Sequence, residues 1–259
     1  MNQKQINKEL IILQRKEAKF VNQNLHIKIS AFQNTVEKYV PEKLSGTLDV
    51  AFFKAFQLIF EKGTGVIEKT YDREKKEQDY RVNEYAAEVK KSRKTLKAFG
   101  RHAAASKNVN MAISAAEGLG MGVLGLGIPD IPIFLGVLLK SIYEIALTYG
   151  FHYDTEEEHM FILKIIETAL SHEQNLIDAD RQLNNWKNEK NIYEISKEEQ
   201  MRKTADALSQ ELLYLKFVQG IPIVGVVGGL SDMVYQKKIV NYAELKYKRR
   251  FLESKMQEN

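Results

Sequence analysis

Three carboxylates stand where the sequence offers them little water. Glu117 precedes a run of glycines, Asp130 is the single charge in an apolar stretch, and Glu144 lies among Ile142, Tyr143, Ile145 and Ala146. Acids in apolar surroundings have raised pKa values and can shuttle protons. Glu117, Asp130 and Glu144 are therefore the candidate functional carboxylates, and the chemistry they suggest is hydrolysis. Plainer roles compete. Asp130 is placed to cap the helix that follows it, with Pro132 tolerated in the first turn. Glu144 lies four residues after Lys140 and can pair with it on one helix face. Glu117 has no partner nearby in sequence.

Other chemistries are less well supported. His152, Asp154, Glu156, Glu157, Glu158 and His159 supply many metal-ligand types in eight residues. None reproduces the His-Glu-x-x-His spacing that puts two imidazoles on one helix face. His172-Glu173 begins that pattern, but Leu176 occupies the second histidine position. Cysteine is absent, which excludes disulfides, thiol catalysis and cysteine-built metal sites. No metal or other cofactor is expected. Gly120-Met-Gly-Val-Leu-Gly125 matches the letters of a dinucleotide fingerprint, yet no strand–turn–helix unit surrounds it, and no Gly-Lys-Ser/Thr follows to make a phosphate loop. A Gly-x-Ser-x-Gly elbow is also missing. The residues alone do not name a reaction.

A second kind of chemistry is electrostatic. Lys90, Lys91, Arg93, Lys94, Lys97 and Arg101 form a basic run with Glu88 as the nearest counterweight. The chain carries a formal net charge of +4 and a pI near 8.9. Such a run can be a solvated face. It can also meet anionic headgroups, worth about 1 kcal/mol per basic residue near the surface. These six residues are the candidate headgroup-binding set, and the expected partner is an anionic lipid or a membrane protein. Nucleic acid is not expected, because none of its recognition signatures appears.

The elements that must position these residues read as helices. Apolar residues recur at three to five residue spacings in 2–38, and Leu48, Phe52, Phe56 and Phe60 fall four apart in a helix over 47–62. Thr155–Glu158 and Ser196–Glu199 have the form of capping boxes opening further helices. Residues 174–195 read as a loop or exposed helix, and Ser231-Asp232 as the cap of the last helix. Two windows, 118–139 and 217–231, hold ten of the fifteen glycines and three of the four prolines. With almost no charge they must leave water, as packed or shallowly inserted hairpin-like segments. A spanning helix needs roughly 20 apolar residues; Asp130, Pro129 and Pro132 interrupt the longer window. No alternating strand pattern of useful length appears. The expectation is an all-α helical bundle with two glycine/proline-rich apolar hairpin segments, divided into a helical extension over 1–40 and a main domain over 41–259. The polar N-terminus predicts a cytoplasmic location, with association at the membrane face.

The central segment resembles the EcsC family. The resemblance rests on Ala116-Glu-Gly118 and the glycine run after it, Asp130-Ile-Pro132, Lys140-Ser-Ile-Tyr-Glu-Ile-Ala146, Tyr149-Gly150 and Asp154. It continues in Ile221-Pro-Ile-Val-Gly-Val-Val-Gly-Gly229 and the basic tail over 247–255. It spans roughly residues 40–255. The family takes its name from a protein encoded beside an ABC transporter and has no settled activity, so the resemblance implies a helical fold and a membrane-linked accessory role rather than a mechanism.

Overall fold

A computed structural model describes residues 2–25, 42–90, 94–101, 103, 130–186, 195–218 and 230–258. Among these residues the chain is helical with no strand, as the periodicities predict. The helices are α1 (Gln3–Leu25), α2 (Glu42–Leu58), α3 (Thr64–Glu68), α4 (Arg73–Lys90), α5 (Asp130–Thr148), α6 (Glu156–Leu170), α7 (Glu173–Asn184), α8 (Lys197–Val218) and α9 (Leu230–Gln257). A π turn, Ile59–Gly63, joins α2 to α3, and residues 94–101 form a further helical segment.

The most apolar helix, α5, lies at the centre. It packs against α2, α3, α4 and α9, and Leu135, Leu138, Leu139, Ile142, Ile145 and Ala146 are fully buried. Ile131–Thr148 is long and apolar enough to cross a membrane, but it is mostly covered by its neighbours here. This part of the first glycine/proline window is therefore dry and packed in the bundle. Residues 118–129 and 219–229 of the two windows lie outside the described residues. Around α5, α8 packs on α2 and α6, and α9 packs on α1, α5 and α6. The aromatic face expected on α2 is core: Phe52 and Phe56 are buried, and Phe52 meets Phe134 of α5 edge-on at 6.4 Å.

Local signals place three of the helix ends. Gly150, at φ +82°, closes α5. The Phe151 N–H donates to Ala146 O at 2.9 Å and the Gly150 N–H to Leu147 O at 3.0 Å, the paired bonds of a left-handed helix stop. Thr155 caps α6, its hydroxyl accepting from the Glu158 N–H at 3.2 Å. Ser196 does the same for α8 through the Glu199 N–H at 3.1 Å. Two helix starts differ from the sequence expectation, and the segment read as a loop or exposed helix forms a helix. α2 begins at Glu42, five residues before the expected start at 47. Residues 173–184 are a helix that buries Leu176 and Leu183, and Trp186 beyond it packs on Phe161 at 5.0 Å. α9 begins at Leu230, so Ser231-Asp232 belongs to its first turn.

The first helix is tied to the last. Ile6 and Leu13 of α1 sit in the common core. Glu17 meets Lys246 at 3.0 Å and pairs with Arg249, while Glu9 meets Lys248 at 2.9 Å. Lys246, almost fully buried, also reaches Asp180 of α7 at 2.7 Å.

Candidate functional site

Of the three candidate carboxylates, Asp130 and Glu144 do not gather into one catalytic group. Asp130 is the first residue of α5 and Glu144 lies fourteen positions later in the same helix. At about 1.5 Å per residue that is roughly 21 Å, too far for both to act on one small substrate. Glu144 is buried and forms an ion pair at 3.1 Å with Lys76 of α4, a partner from across the helix interface. The helix starts and Pro132 enters its first turn as expected, but the Asp130 side chain and all of Glu117 lie outside the described residues.

The residues with metal-ligand types over 152–159 turn apart. Glu158 faces inward: Arg250 donates to its two carboxylate oxygens at 2.8 and 3.0 Å, and the Tyr247 hydroxyl donates at 2.6 Å. The Arg250 guanidinium lies over the rings of Phe161 at 4.1 Å and Phe151 at 4.3 Å. So Glu158 supplies only its backbone N–H to the cap of α6, and its side chain belongs to a buried ion pair. His159 lies against Phe60, with ring centroids 4.5 Å apart. Burial, with Lys197 adding to it, pushes its imidazole down to about 4, against the weaker opposing charges of Asp154 and Glu156. Asp154 turns the other way, to Arg73. Among the described residues no group of three or more His, Asp or Glu side chains is arranged to hold a metal ion.

Two clusters were not visible in the sequence. In the first, Arg73 donates to Glu68 at 2.6 Å, Glu77 at 3.0 Å and Asp154 at 2.5 Å. The guanidinium holds the Asp154 carboxyl below its usual range. The Tyr153 hydroxyl donates to Glu68 at 2.8 Å and pairs with the Tyr71 hydroxyl, while its ring stacks on Tyr143 at 4.1 Å. This polar pin holds the start of α4 to the turn between α5 and α6. In the second, His172 Nε2 lies 3.1 Å from Glu211, and Lys238 lies 3.7 Å from the other carboxylate oxygen. Burial alone would raise the Glu211 carboxyl, but His172 and Lys238 hold it below its usual value, and burial pushes the Lys238 ammonium down. Next to it Glu173 has φ +50°, the one positive φ outside glycine among the described residues. Both clusters join helices far apart in sequence, and mixed-charge stretches such as 71–80 carry no local sign of them.

The basic run has a definite geometry. Lys94, Lys97 and Arg101 are exposed and spaced three and four apart, so they share one face of the helical segment 94–101. The other face carries the buried Leu96, Phe99 and Ala103. Phe99 is the anchor: its ring meets Phe251 at 4.6 Å, Tyr80 at 5.9 Å and Tyr149 at 6.4 Å. Lys90, also exposed, ends α4; Lys91 and Arg93 lie outside the described residues. A docked helix thus presents a row of cations to the outside.

Comparison with known proteins adds the family. The model of the EcsC protein family matches residues 4–252, so the match includes α1 and runs to the last turns of α9. A relative, Protein EcsC of Bacillus subtilis (strain 168), is 28% identical over 123 residues, 46% of this chain. The aligned region spans half the length of that relative. No solved structure matches the chain.

Proposed function

The chain belongs to the EcsC family, and from that premise we propose that it is a non-enzymatic helical accessory protein that works at the cytoplasmic face of a membrane by binding anionic lipid. The observation that carries this reading is the exposed cationic face of Lys94, Lys97 and Arg101 on a helix fixed from behind by Phe99, with the exposed Lys90 four residues earlier in the chain. Three or four basic side chains held at a surface supply about 1 kcal/mol each toward anionic headgroups. Membrane proteins embedded in such a surface are the other class of partner. The hydrolase reading loses support from the separation of Asp130 and Glu144 and from the pairing of Glu144 with Lys76.

Co-sedimentation with vesicles tests the proposal. The protein is expected to pellet with phosphatidylcholine vesicles containing phosphatidylglycerol and to stay in solution with phosphatidylcholine alone. The K94E/K97E/R101E variant should lose most of that recovery. Negligible pelleting of the unaltered protein with both vesicles would remove the idea.

A further inference from the structure

The helix just before the cationic face carries an unusual exposed stripe. On α4, Val82 is 68% exposed, Tyr85 70% and Val89 61%. Spacings of three and four place the three on one face, within an arc of about 60° at 100° per residue. They are three of the five large apolar side chains that stand out in water among the described residues. The opposite side of α4 is bound to the bundle through Ala87, Tyr80 and the Lys76–Glu144 ion pair, so the stripe cannot roll inward without undoing those contacts. Lys90 closes the helix, and Lys94 follows within about 14 Å of extended chain at most.

We infer that α4 is a shallow membrane anchor: Val82, Tyr85 and Val89 enter the interfacial layer of the same anionic bilayer whose headgroups meet Lys90, Lys94, Lys97 and Arg101. This rests on the function proposed above and assigns it a second, apolar component. The choice of occupant follows from size and charge. From Val82 to Val89 the stripe runs only about 10 Å along the helix. A specific protein partner ordinarily covers about 800 Å² on each side, which three side chains do not provide. A bilayer needs no matching shape. Valines reach its acyl boundary, a tyrosine ring sits at headgroup depth, and flanking lysines meet the phosphates. Glu88 on one flank of the stripe and Asp79, three residues before Val82, on the other are opposing charges, and they keep the insertion shallow.

Salt separates the two components, because headgroup attraction is screened while apolar insertion is not. With vesicles of phosphatidylcholine and phosphatidylglycerol, V82S/Y85S/V89S is expected to bind at least about tenfold more weakly than the unaltered protein, and to be released fully by 0.5 M salt, where the unaltered protein keeps part of its binding. These positions are on the surface, so the variant should fold as before, which circular dichroism checks. A second measurement places a reporter in the stripe: Y85W in a W186F background should shift its emission to shorter wavelength when anionic vesicles are added. Unchanged affinity of the triple variant and an unshifted Y85W signal, with the unaltered protein still binding, would overturn the anchor and leave the lipid-binding reading standing. A change in oligomeric state instead of vesicle affinity would also overturn it. If the unaltered protein bound no vesicles, both would fall together.

Discussion

Arg250 is a guanidinium held inside the bundle, paired with Glu158, which also accepts from the Tyr247 hydroxyl, and with two aromatic faces beside it. Removing one member of a buried pair strands the other charge, at a cost of about 3–5 kcal/mol. R250A and E158A should therefore each unfold at much lower urea, whereas R250M/E158Q should recover a large part of the loss, which denaturant titration of the four proteins measures. His159 gives the opposite kind of residue, buried with its charged neighbours too weak to offset the loss of water. Its folded imidazole binds a proton only near pH 4, while in the unfolded chain it does so near 6.5. Between these values the unfolded chain holds more protons, so the stability present above pH 6.5 is lost as the pH falls toward 4, by at most about 3 kcal/mol. Urea midpoints measured across that window should fall on acidification, and H159F should flatten the slope.

At the scale of the element, Gly150 shows how local sequence and tertiary fit combine. Its φ of +82° is strained for any L side chain, and a Cβ there would meet the Tyr80 ring at 2.3–2.8 Å. The left-handed geometry alone costs about 1–2 kcal/mol, so G150A should destabilise by about 2 kcal/mol or more in thermal or chemical unfolding. The stop itself was legible, since glycine after a periodic run marks a helix end. The clash with Tyr80 was not, because Tyr80 is seventy residues earlier. The same division runs through the other elements. Thr155 and Ser196 announced their caps in the sequence, and so did the apolar stripes of α2 and α5. Glu158 looked like the second half of a capping box, and only the approach of α9 shows its side chain turned to Arg250. Residues 174–195 read as a loop or an exposed helix because Leu176 and Leu183 are too few to set a period, and the helix they form buries both on one side.

At the scale of the molecule, the fold class was readable from helical period alone, and the family from the central motif. The partners of the charged residues were not. Arg73 finds Asp154 across 81 positions and Lys76 finds Glu144 from another helix. A run of alternating charges gives no hint which members turn inward. The basic run was read only as a solvated or headgroup-binding stretch, and the helical segment 94–101 is what puts Lys94, Lys97 and Arg101 on one face.

The ties between α1 and α9 carry a consequence for how the chain is made. Glu9 and its partner Lys248 are 239 positions apart, and Glu17 and Arg249 are 232 apart. On a ribosome, the acids of α1 emerge first and must remain hydrated until the final helix follows. Closure of this ring is thus a late step, governed by loop closure over more than 230 residues. A nascent chain halted before Lys246 would leave α1 without its clasp, still exposing Ile6 and Leu13 to chaperones and proteases.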